Sequence, residues 1–162
     1  SQLKNQAVTG PMKGRKLQML PSMLTSWDQW QKIHPDTLVL SRDTGYRRDY
    51  DRDPYFGYDR SPGLFFPVEF LSHAYHPKER VLGLEYNGRI KAYPFAELAK
   101  SGEQGRIEDR LGDQRLTIEY DAARRSGRIF DQNGDELAVV NAFWFAWYTF
   151  HPKTDVYVHP PQ

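Results

Sequence analysis

Two windows of this chain carry the same pattern with no gap. Trp27-x-x-Trp30-x-x-x-His34-Pro35-x-Thr37-x-Val39 recurs as Trp144-x-x-Trp147-x-x-x-His151-Pro152-x-Thr154-x-Val156. The chain has four tryptophans, and all of them lie in these windows. The rarest large residue falling twice in one register marks a duplicated structural unit. A solenoid needs three or more repeats to bury its faces, so two copies predict one pseudo-symmetric domain.

Each copy reads as a short helix followed by a strand. Ser26 is an N-cap residue and Gln29 stands three positions on, the spacing of a capping box. Trp27, Trp30 and His34 share one helical face. Pro35 disfavours helical geometry at His34 and ends the helix there. In the second copy Asn141 is the expected cap and Pro152 the stop. Residues 37–40 and 156–158 are then predicted strands. His34 and His151 fall at helix C-termini, where a protonated imidazole would favour the helix dipole. Their recurrence points to a structural role.

The first helix has Asp28, Gln29, Gln31 and Lys32 on its outer face and suits a surface. Residues 142–150 are apolar all round, and such a helix must be covered on every side. The cover is core or a partner, and in the second case Phe143, Phe145 and Tyr148 are the contact candidates.

Between the copies the chain reads as strands. Residues 81–86 and 89–93 flank Asn87-Gly88, a pair suited to the positive φ angles of a type I′ turn. Residues 94–100 form one or two helical turns after Pro94, with Gly102 as stop. Residues 115–120 alternate as a strand, and 128–130 with 136–139 form a second hairpin around Asn133-Gly134. The expected fold class is α+β, mainly antiparallel β-sheet with few short helices, in a single domain over residues 1–162. Hydrophobic residues are only 39% of the chain, but aromatics are 14%, and large rings build a core from few residues.

Composition removes several function classes. Lys plus Arg is 22 and Asp plus Glu is 21, without the basic excess of a nucleic-acid binder. No apolar run reaches the length of a membrane span. Cysteine is absent, which excludes disulfides and thiol catalysis within these residues. Neither a Gly-x-Ser-x-Gly elbow nor a phosphate-binding loop is present. The Gly10 to Lys16 stretch has the wrong spacing for the latter and reads as a basic turn. No cofactor signature is found.

Residues 41–67 form a long loop, and loops of this length in compact domains are functional or disordered. Its aromatic content argues for order. Asp43, Tyr46, Arg48, Asp49, Tyr50, Asp53, Tyr55 and Tyr58 are the ligand-binding candidates. Carboxylates beside aromatic platforms suit a saccharide or another polar ligand, and paired carboxylates serve as acid and base. The competing structural reading is that Arg-Asp pairs and tyrosine hydroxyls pin the loop to the domain. Asp49-x-Asp51-x-Asp53 departs from a calcium-binding loop, because Pro54 and Arg60 stand where glycine and glutamate are required. His73-x-x-His76, with His159, is a weak metal candidate, since zinc needs three or four ligands in tetrahedral geometry.

Several stretches together resemble a known family. They are Gly10 to Leu17, Leu20-Pro21-Ser22, the Trp27 to Val39 window, Asp43-Thr44-Gly45-Tyr46, Asp53-Pro54-Tyr55, Lys78 to Gly83 and Lys91-Ala92-Tyr93-Pro94. The chain is similar over nearly its whole length to a prokaryotic family catalogued as domain of unknown function 3179 (DUF3179). The resemblance implies an extracytoplasmic location. It also implies a further N-terminal half with a Cys-Pro-x-Cys motif, from which this sequence departs. On that basis the edge from Leu3 to Val8 is expected to pair with another polypeptide.

The favoured reading is a non-catalytic extracytoplasmic binding or assembly module that docks on a partner chain. The alternatives are an enzyme or lectin-like site in the Tyr/Asp/Arg loop, and a metal-binding accessory role.

Overall fold

The Asn87-Gly88 pair turns the chain back on itself, with both residues at positive φ (50° and 74°). It joins β1 (Arg80–Tyr86) to β2 (Arg89–Pro94), antiparallel from Val81 opposite Pro94 to Tyr86 opposite Arg89. The computed structural model describes residues 5–161 of the chain. Leu3 therefore lies outside the described residues.

After β2 the chain makes α2 (Phe95–Leu98) and a 3₁₀ turn, then stops at Gly102, whose φ of 133° suits glycine. A four-stranded antiparallel meander follows: β3 (Gln104–Leu111), β4 (Gln114–Asp121), β5 (Ser126–Phe130) and β6 (Glu136–Leu137). The chain then returns to the first sheet as β7 (Val139–Phe143), antiparallel to β1. It continues into α3 (Trp144–Phe150) and β8 (Asp155–Val156), which lies parallel to β2. The first sheet thus has the order β7-β1-β2-β8. Three short helices and two mostly antiparallel sheets make an α+β, strand-rich fold.

The alternation along β1 explains the layering. Leu82 and Leu84 point to one face and join Leu116, Ile118 and Ile129 of the meander in the main core. Val81 points to the other face and joins Ala92, Trp144 and Trp147 in a second cluster under α3. Gly83 shares that face, and a β-carbon there would come within 2.3 Å of the Trp147 ring. The first sheet is therefore the middle layer, between α3 and the meander.

The repeat survives as a local unit. The first copy forms α1 (Trp27–Ile33), capped by the Ser26 hydroxyl, which accepts from the Gln29 amide at 3.3 Å. In both copies the histidine amide bonds to the carbonyl of the second tryptophan, Trp30 at 2.8 Å and Trp147 at 3.0 Å. Each indole N–H donates to the threonine hydroxyl, Trp30 to Thr37 at 2.8 Å and Trp147 to Thr154 at 3.1 Å. Each histidine ring packs on its tryptophan, with centroids 4.2 and 4.1 Å apart. Burial, opposed by Glu85, lowers the proton affinity of His151 and favours the neutral imidazole.

Three expectations fail. Residues 37–40 form no strand, because no second strand lies beside them among the described residues. Asn141 does not cap α3, which begins at Trp144 after Phe143 and has no side-chain cap. Asn141 instead lies in β7 and donates to the Arg125 carbonyl at 3.1 Å. A short apolar run does not distinguish strand from helix by periodicity, and here β1 recruits residues 139–143 as a strand. Finally, the two copies do not build a pseudo-symmetric domain among the described residues, because only the second is embedded in a sheet.

Candidate functional site

The two copies share internal geometry and differ in what surrounds them. Trp144 and Trp147 are each 1% exposed, whereas Trp27 is 47% exposed. Val156 pairs with Ala92, but its counterpart Val39 is exposed, and Leu38 and Leu40 are about fully so, at 95% and 94%. Ile33, Leu24, Leu20 and Leu17 extend the exposed apolar surface along the same N-terminal stretch.

This stretch opens with a hairpin, in which Gln6 bridges Lys16 and the Ala7 amide donates to the Arg15 carbonyl at 2.9 Å. Val8 stands half-exposed on it. The aromatic helix has other surroundings. Phe145 is buried, with Phe66 and Phe143 about 6 Å away between ring centroids. Tyr148 is half-buried against Trp144, and the Trp144 indole donates to the Ser72 carbonyl at 3.2 Å. The chain itself supplies the cover that α3 requires.

The Tyr/Asp/Arg loop forms a second surface feature. Asp53, Tyr55 and Tyr58 meet Asp59, Arg80 and Phe143 around a cleft of about 400 Å³. The Asp53 carboxylate accepts from the Tyr55 amide at 2.8 Å and fixes the turn. The Arg80 guanidinium lies 4.1 Å over the Phe143 ring and forms no ion pair among the described residues. Burial first, then Arg125, lowers its proton affinity from the ordinary guanidinium value, and Asp59 opposes them.

The remaining loop candidates stay apart from this cleft. Asp43 is exposed, and its amide donates to the Ser41 hydroxyl. Tyr46 and Arg48 are exposed. Asp49 accepts from the Asp51 amide, Asp51 pairs with Arg42 at 2.6 Å, and the Tyr50 hydroxyl bonds with Thr44. The aspartates thus shape the loop locally and do not converge as a set.

Sequence reasoning missed Lys78, which holds the loop to the core. Lys78 is 2% exposed and donates to the carbonyls of Gly63 at 2.6 Å and Ser61 at 3.1 Å. Its visible signal was its place in the Lys78 to Gly83 stretch that leads into β1.

Two of the histidines named as metal candidates hold hydrogen bonds. His76 Nδ1 accepts from the Lys78 amide, and His159 Nδ1 bonds with the Ser101 hydroxyl. His73 lies exposed in the preceding loop. Among the described residues no three His, Cys, Asp or Glu side chains converge as metal ligands.

One buried carboxylate is held by three donors. Glu97 accepts from Lys100 at 2.7 Å, the His159 amide at 3.0 Å and the Tyr75 hydroxyl at 3.3 Å. Burial would raise its pKa, but these three donors outweigh it and hold the carboxyl below its ordinary value. The group is fully engaged and works as a fastener between α2, the C-terminal tail and the loop before β1.

A family model described as "Protein of unknown function (DUF3179)" matches residues 1–154. The chain belongs to the DUF3179 family. No curated protein and no solved structure matches it. The DUF3179 match covers the first tryptophan window, the loop at 41–67, every strand before α3, and the second window as far as Thr154. No helix among the described residues is long and apolar enough to cross a membrane.

Proposed function

We propose that this DUF3179 domain is a non-catalytic binding or assembly module that docks on another polypeptide through its first tryptophan window. One observation carries the reading. The first copy holds the same Trp–Thr and His–Trp hydrogen bonds and ring packing as the second, yet Leu38, Val39 and Leu40 are left in water where the second copy meets a sheet. A pre-formed apolar unit loses little entropy on docking, which favours binding. An extracytoplasmic location is part of the proposal and rests on family resemblance alone.

Photo-crosslinking in the native cell tests it. A photoreactive residue at Val39 is expected to trap one polypeptide, and the same residue at Asp113 is not. That polypeptide should co-purify in stoichiometric amount with the wild-type chain and not with a Leu38→Ser, Val39→Ser, Leu40→Ser variant. No adduct at Val39, or equal adducts at both positions, overturns the proposal.

A second reading follows from Arg80. A half-buried guanidinium that forms no ion pair among the described residues, walled by Tyr55, Tyr58 and Phe143 with Asp53 and Asp59 at the same cleft, suits a polar ligand that carries an acidic group. Uronic acids are a saccharide class with that chemistry. Binding of glucuronate oligomers that is lost in Arg80→Met would favour this reading, and unchanged binding in the variant would remove it.

A further inference from the structure

The second copy records how a unit of this kind is seated. Trp147 lies over Gly83 of β1, at a distance that leaves no room for a β-carbon. The chain beyond Thr154 then runs parallel to β2, with Asp155 opposite Lys91 and Val156 opposite Ala92. The Tyr157 amide donates to the Ala92 carbonyl at 2.9 Å, and the Tyr157 ring stacks with Tyr93 at 5.8 Å. A two-stranded hairpin with a glycine on its first strand therefore receives both halves of the unit, the indole on that strand and the extended tail on the second.

The first copy presents the same two halves. Trp30 stands at the place of Trp147, held by Thr37 as Trp147 is held by Thr154. Leu38, Val39 and Leu40 stand at the places of Asp155, Val156 and Tyr157. Leu40 replaces the buried Tyr157, so its side chain would face the same kind of core. Addition of a strand to a sheet edge combines main-chain hydrogen bonds with side-chain pockets and is a general recognition mode.

Resting on the reading above, we propose that the docking partner is a separate polypeptide presenting an antiparallel β-hairpin of the β1–β2 kind. Its first strand places a glycine under Trp30, and its second strand runs parallel to residues 38–40. A second copy of this chain does not meet that requirement through β1–β2. Its Gly83 face is filled by its own Trp147, and the outer edge of β2 is taken by its own β8.

The chain can carry its own probe. The sequence of residues 79–95 is appended to the N-terminus through a flexible Gly/Ser linker, which gives an effective concentration of roughly millimolar. Amide hydrogen exchange is then followed by NMR. The Leu40 amide, counterpart of the Tyr157 amide that donates to Ala92, is expected to exchange roughly tenfold more slowly than in the unextended chain. That slowing should vanish when the appended glycine that corresponds to Gly83, and not the turn glycine that corresponds to Gly88, is changed to leucine. Isolated hairpins are marginally stable in water. A peptide of the same sequence, cyclised end to end, is therefore added in trans and should shift the same amide resonance. No slowing and no shift with either probe, or equal effects with the leucine forms, overturns the inference. A Val39 crosslink that persists after such a failure leaves the docking function standing and removes only the hairpin, whereas loss of the crosslink removes the docking function itself.

Discussion

The ammonium of Lys78 lies 3.9 Å from the centre of the Tyr58 ring while donating to the Gly63 carbonyl at 2.6 Å. A buried cation is held here by carbonyl dipoles and an aromatic face, with no carboxylate within ion-pair distance among the described residues. Lys78→Met keeps the stem and removes the donors. It is expected to cost about 2 kcal/mol in urea unfolding and to speed proteolysis at residues 58–63.

Gly83 is constrained by Trp147. Gly83→Ala would drive a methyl group into the indole, and overpacking of this kind costs roughly 1–3 kcal/mol. A lowered denaturant midpoint with an unchanged slope is the expected result. An unchanged midpoint would show that the indole can shift.

The threonines of the two copies should respond differently. Thr154→Val strands the buried Trp147 N–H and is expected to cost about 1–2 kcal/mol. Thr37→Val acts at a Trp30 that is only partly buried, so a smaller cost, below about 0.5 kcal/mol, is expected. Thermal unfolding of both variants makes the comparison.

Glu97 and Tyr75 set two pH limits. The Glu97 carboxyl is held low in the folded state, so its contribution is present above its unfolded value and is lost as pH falls through the folded one. Stability should fall on acidification below about pH 4, and less steeply in Glu97→Gln, which itself costs about 1–2 kcal/mol at neutral pH. The Tyr75 phenol is pushed up to about 12, by burial first and then by the charge of Glu97. A raised phenol favours the neutral folded form, so stability should hold below about pH 10 and fall as the pH rises toward 12. Urea titrations across both ranges, repeated with Tyr75→Phe, check both signs.

Exposed apolar residues contribute little to the stability of the chain that carries them. The Leu38→Ser, Val39→Ser, Leu40→Ser variant should therefore unfold within about 0.5 kcal/mol of wild type. A larger loss would mean that these side chains are already packed in the isolated protein.

Local signals were read well and relational ones were not. The Ser26 cap, the Asn87-Gly88 hairpin and the Gly102 stop follow from a few adjacent residues. β3 was overlooked because its residues are mostly exposed and charged, and it exists by pairing with β4 along its whole length. Of the eight loop candidates, Asp53, Tyr55 and Tyr58 share a cleft, and Arg80 completes it from a strand far along the chain. Composition marked the loop as unusual and could not say which of its residues converge.

The sequence alone determined the unit itself: two tryptophans, a histidine before proline and a threonine, whose hydrogen bonds close within a dozen residues in either setting. Only the tertiary structure decided that one unit lies in a core and the other in water. Burial depends on which distant strand comes alongside, and β1 and β2 lie alongside the second copy alone.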